Sequence, residues 1–148
     1  MRRLLCFSRG GLLMACAAFL FVGCGSPGVK VEGQLVKDGK PFVPPTGQML
    51  SLSFIGKDAD GKEQSLGAAV NSTDGSFAVT GPKGSGIPPG TYKVKLSVST
   101  ESSDPDSLNR IETLNSQFAL INQKDCVIEA GDAGKKITID VSKGTVTK

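Results

Sequence analysis

The stretch Thr91-Tyr92-Lys93-Val94-Lys95-Leu96-Ser97-Val98-Ser99 alternates apolar and polar residues without a break. Successive side chains leave an extended backbone on opposite sides, so period two marks a strand with one face buried. Tyr92, Val94, Leu96 and Val98 share the inner face, and Lys93, Lys95, Ser97 and Ser99 the outer one. The pattern repeats on both sides of this stretch. Upstream, Val29, Val31, Gly33 and Leu35 alternate, as do Leu50, Leu52 and Phe54 within Met49–Ile55. A weaker strand follows at Gln64–Asn71, and Phe77 and Val79 begin another. Downstream lie Cys126–Ala130 and Ile137–Val141, with Ile137, Ile139 and Val141 pointing inward.

Turn chemistry separates these runs. Asp38-Gly39 and Asp74-Gly75 are hairpin signals, and Gly81–Gly90 (GPKGSGIPPG) is the most loop-like part of the folded segment. Pro41, Pro44 and Pro45 exclude a central strand. Thr100–Glu112 holds the one expected helix of this segment, one or two turns long, with Asp104 as cap and Pro105 at its first position. Leu114–Ile121 reads as either strand or loop, and Lys143–Lys148 as a frayed tail. Short strands at this spacing with almost no helix predict an all-β, antiparallel Greek-key β-sandwich of about seven strands over residues 29–148.

The first 28 residues have a different character. Arg2, Arg3 and Arg9 precede an apolar run, Gly11–Val22 (GLLMACAAFLFV). As a helix it spans roughly 18 Å, short of the ~30 Å hydrocarbon core, which suits a signal-peptide helix better than a membrane span. Val22-Gly23-Cys24 resembles a bacterial lipobox, with Phe21 standing where Leu is usual. The resemblance implies diacylglycerol on the Cys24 sulfur, cleavage after Gly23 and acylation of the freed amine. The expected organisation is a lipoprotein signal peptide (1–23), a lipidated tether (24–28) and the folded domain (29–148). Gly25 follows the cysteine where Asp would signal inner-membrane retention in that family, which favours the outer membrane. Gly25–Gly28 extends at most about 14 Å, so the domain is expected close to the bilayer.

Removing the signal changes the charge. Arg2, Arg3 and Arg9 leave with it, and of the chain's 17 Lys and Arg against 14 Asp and Glu, equal numbers remain. No basic footprint for nucleic acid survives. The chain has no His and no Trp. This excludes imidazole-dependent triads and most zinc sites, and leaves few aromatic platforms for sugars or bases. Carboxylate-only or Ser-Lys catalysis stays formally open, but the expectation is a non-catalytic protein without cofactor or metal.

Three pieces, in order, resemble the carboxypeptidase regulatory-like, transthyretin-like sandwich domain: Val31-Glu32-Gly33-Gln34-Leu35 with Asp38-Gly39-Lys40-Pro41, then Thr73-Asp74-Gly75-Ser76-Phe77, then Pro88-Pro89-Gly90-Thr91-Tyr92-Lys93-Val94. Ile87 replaces the usual Leu. The resemblance implies a binding, spacing or structural module, with Phe77 plugging the core and the Tyr92 hydroxyl tying down a loop. A hydrolase on the transthyretin fold would need histidines and a C-terminal Tyr-Arg-Gly-Ser, and this chain has neither.

Few residues are candidates for chemistry. Cys24 is the expected lipidation site and the membrane the expected partner. Cys126, in an apolar run, reads as a core thiol, with reactivity the alternative. Asp58-Ala59-Asp60-Gly61 has the opening spacing of a calcium loop, but strand neighbours make it read as a polar turn. Lys30, Lys93 and Lys95 are candidates for an outer basic stripe. Two functions follow: a binding module for an envelope protein or glycan, with Phe42 the best candidate for an exposed apolar contact, or a structural lipoprotein self-associating through a sheet edge.

Overall fold

A computed structural model describes residues 28–57, 61–84 and 86–148. The signal segment, Cys24, most of the tether and the Asp58–Asp60 turn lie outside the described residues. The strands are β1 (Val31–Lys37), β2 (Lys40–Pro41), β3 (Gln48–Lys57), β4 (Glu63–Val70), β5 (Ser76–Val79), β6 (Gly90–Thr100), β7 (Asp125–Ile128), β8 (Lys136–Asp140) and β9 (Thr145–Thr147). Among the described residues one α-helix, α1 (Pro105–Gln117), lies between β6 and β7.

The Greek-key sandwich expected from the sequence does not form. All the strands belong to one sheet, ordered β7-β6-β3-β4-β5-β1-β8-β9, with β2 as a two-residue extension beside β1. Every pairing is antiparallel except β1 with β8, which is parallel. The sheet curls so that the inner faces of its strands meet in a single core, giving a mostly-β, nearly closed barrel with one helix. Leu35, Phe54, Val94 and Ile139, from four different strands, are fully buried there. Two inward positions are glycines: the Phe77 ring lies against Gly33 and the Tyr92 ring against Gly56. A missing side chain lets a strand bend sharply and lets a ring lie on its backbone.

The open seam of the barrel lies between β7 and β9, and the chain after α1 packs into it. Phe118 and Ile121 are fully buried, and Phe118 meets Phe42 edge to face at 5.9 Å. Gly144, just before β9, backs onto Leu120. Phe42 is therefore a core residue, 7% exposed, and not the apolar surface contact expected from its proline-rich neighbourhood.

The helix starts as expected: the Asp104 carboxylate accepts from the Ser107 N–H at 3.0 Å, and Pro105 opens the first turn. It runs 13 residues, into the first half of the segment read as strand or loop. It buries no residue fully, and only Ile111 and Leu114 pack partly against the core, too narrow an apolar face to mark its length. The expected frayed tail is also ordered. Thr145–Thr147 pairs with β8, and Lys148 is ion-paired to Asp132. The Tyr92 hydroxyl donates to the Pro88 carbonyl oxygen at 2.7 Å, and Phe77 is buried.

Candidate functional site

The pairing of β8 with β1 and of β5 with β4 sets four outward residues side by side. Lys136 lies opposite Glu32, Glu32 opposite Ala78, and Ala78 opposite Ala69. Two long charged side chains next to two methyl groups leave a depression in the outer wall. Asn71 and Ser76 close one end of it, and Gly33 and Phe77 complete its lining. The groove holds about 260 Å³. Its end is shaped by the β4–β5 turn, where Asn71 N–H donates to the Ser76 carbonyl at 2.7 Å and Asn71 Oδ1 accepts from Thr73 N–H at 2.8 Å. The Asp74 carboxylate accepts from Ser76 N–H at 2.9 Å, and hydrogen bonding from the Ser76 side chain first and this N–H second holds its carboxyl below the usual carboxylate range. A carboxylate, an ammonium, a carboxamide and a hydroxyl around a small apolar floor form a set suited to holding a polar group by ion pairing and hydrogen bonding.

A second charged cluster closes the barrel at the start of β8. Asp132 ends a short 3-10 turn (Ala130–Asp132) and is 5% exposed. Its carboxylate accepts from Lys148 Nζ, from Glu129 N–H at 2.9 Å and from Lys135 Nζ at 2.9 Å. Lys148 first, then the Glu129 amide and Lys135, hold the Asp132 carboxyl far below the usual range. Asp132 in turn raises the Lys148 ammonium. This cluster fastens β9 and is structural in chemistry.

Its linkage to pH has a definite sign. A carboxyl whose folded pKa lies below its unfolded one stabilises fully above the unfolded value, 3.8, and loses that contribution as pH falls toward the folded value. Asp132→Asn is therefore expected to lower the urea midpoint at pH 7 and to flatten its decline between pH 5 and 3. A variant with an unchanged midpoint and an unchanged acid limb would remove the cluster from the stability of the fold.

The other sequence candidates are dispersed. Cys24 and the Asp58–Asp60 turn lie outside the described residues, and among the described residues no group of three or more His, Cys, Asp or Glu is placed to hold a metal. Cys126 is 3% exposed, and burial pushes its thiol up, away from the reactive thiolate. Lys93 and Lys95 share the outer face of β6, but Lys30 precedes β1, with β3, β4 and β5 between. No continuous basic stripe forms. The groove itself escaped the sequence reading because Lys136 and Glu32 are 104 positions apart and meet only through the parallel β1–β8 pairing. No protein-family model, no curated protein and no solved structure matches this chain.

Proposed function

We propose that this chain is a lipid-anchored, non-catalytic protein of the cell envelope that works as a binding module close to the membrane. The observation that carries the reading is the run Gly11–Val22 leading into Val22-Gly23-Cys24, followed so soon by the first residue of the barrel wall. Val29 already exchanges two backbone hydrogen bonds with Ile87, at 2.7 and 2.9 Å. An acylated Cys24 would thus hold the barrel against the bilayer without a stalk. Two or three acyl chains make release rare, where a single chain binds only marginally. The groove at Glu32 and Lys136 is the surface on which a polar group of an envelope protein or glycan fits best.

The test is acylation and fractionation of the full-length chain. Wild type is expected to take up labelled palmitate and sediment with membranes, and Cys24→Ala to do neither. Palmitate uptake and membrane sedimentation of Cys24→Ala would overturn the anchor. For the binding half, a photo-crosslinking residue at Ala78 in intact cells is expected to give a discrete adduct that the same residue at Ser99 does not. Identical patterns from both positions would count against the groove.

A further inference from the structure

The groove on the outer wall carries an opposite-charge pair that the fold leaves open. Glu32 and Lys136 lie opposite each other across the parallel β1–β8 ladder, and both are exposed. Neither side chain forms an ion pair or hydrogen bond with another described residue. At the far end, Asn71 Oδ1 is taken by the Thr73 N–H, which leaves Nδ2 a donor without a described partner. The methyl groups of Ala78 and Ala69 run between the two ends.

This arrangement selects by sign. A simple anion drawn to Lys136 meets the Glu32 carboxylate, and a simple cation drawn to Glu32 meets the Lys136 ammonium. A group that carries both signs satisfies both side chains. An α-amino acid holds its ammonium and carboxylate on one carbon, close enough to sit over a single inter-strand gap of about 4.8 Å. The groove's volume of about 260 Å³ lies below the roughly 300 Å³ at which drug-sized pockets begin, so size restricts the ligand to about a single residue.

We propose that the groove binds the zwitterionic head of an α-amino acid, with its ammonium on the Glu32 carboxylate and its carboxylate on the Lys136 ammonium. A short polar side chain then lies over Ala78 and Ala69 toward Asn71 Nδ2. This rests on the groove reading above and names its ligand class. A free amino acid and one carried at the end of a larger envelope molecule present the same head.

The experiment titrates the full-length, isotope-labelled chain in detergent micelles with L-glutamine, whose carboxamide suits Asn71, and follows amide signals by NMR. Signals of Gly33, Ala69, Ala78 and the Asn71 carboxamide are expected to shift saturably, with a Kd on the order of millimolar, as two exposed ion pairs allow. N-acetylglutamine lacks the ammonium and glutaminamide the carboxylate. Each is expected to bind about fivefold more weakly, the upper range for one exposed ion pair. Glu32→Gln should bind glutamine and N-acetylglutamine alike, and Lys136→Met should bind glutamine and glutaminamide alike. Both changes are at exposed positions, and unchanged signals from Leu35, Val94 and Ile139 report an intact core. No saturable shift, or equal binding of the three compounds by wild type, would overturn the amino-acid ligand and leave Glu32 and Lys136 as a cross-strand pair. The Ala78 cross-link separates that failure from failure of the groove. An adduct in cells without any response to glutamine overturns the ligand class and keeps the groove, and absence of both removes the groove as well. Where glutamine binds, the mass of the adduct tells a free amino acid from one carried on a larger molecule.

Discussion

Gly33→Ala is expected to destabilise the barrel by about 3 kcal/mol or more, near the upper range for a single added methyl group. Gly33 lies in the middle of β1, opposite Phe77 on one side and Ile137 on the other. A Cβ there would run into the carbonyl oxygen of Ile137 and the ring of Phe77. The ring is the softer obstacle, but Phe77 is 4% exposed and packs against Phe54 at 6.2 Å, so it has little room to retreat. The carbonyl belongs to the parallel β1–β8 ladder and can move only by opening it. With a urea slope of roughly 1–3 kcal/mol per molar, the midpoint should fall by about 1 M or more. Gly67→Ala is the control. Gly67 is exposed on β4 with open space where its Cβ would stand, so the change should be neutral or slightly stabilising through the unfolded chain. Matching midpoints for Gly33→Ala and wild type would mean that β1 and β8 are not held as tightly as this register requires.

The same glycine shows how far the sequence could be read. Which residues face the core is legible, because alternation is a property of each strand alone: Tyr92, Val94, Leu96 and Val98 are all buried. So are Leu52, Phe54, Ile137, Ile139 and Val141. Whether those faces belong to two stacked sheets or to one curled sheet is not contained in the alternation, since both architectures bury every second residue. What decides it is the pairing of β1 with β8, over a hundred residues apart, and the nearest sign of it is a glycine on an inward position. The groove is illegible for the same reason. The helix end and β9 differ from the expectation because long-range contacts hold them, Phe118 on Phe42 for the one and pairing with β8 plus the Lys148–Asp132 ion pair for the other, and these leave no periodic trace.

A second large effect is expected at the edge of β6. This strand runs from Gly90 to Thr100, but β7 covers only Gly90–Lys93. Beyond that point Val94 N–H donates to the Lys124 carbonyl at 3.2 Å, and then two side chains take over. Asn122 accepts from Leu96 N–H at 2.7 Å through Oδ1 and donates to the Leu96 carbonyl at 3.1 Å through Nδ2. Asn115, from the last turns of α1, does the same for Val98 at 2.8 and 3.0 Å. Each carboxamide stands where the peptide group of a neighbouring strand would be, so the edge of the longest strand offers nothing to a second chain. Removing one leaves a half-buried N–H and C=O unpaired, which costs about 1–3 kcal/mol after partial hydration. Asn115→Leu and Asn122→Leu are each expected at the lower part of that range. The double variant should lose roughly 3 kcal/mol, with some coupling because both side chains lie on one connected segment. It should also associate, since an unpaired edge of this length is a template for strand pairing. Urea titration at several protein concentrations, with sizing chromatography, separates the two consequences. A double variant that stays monomeric with a wild-type midpoint would show that water satisfies this edge and that the asparagines guard nothing.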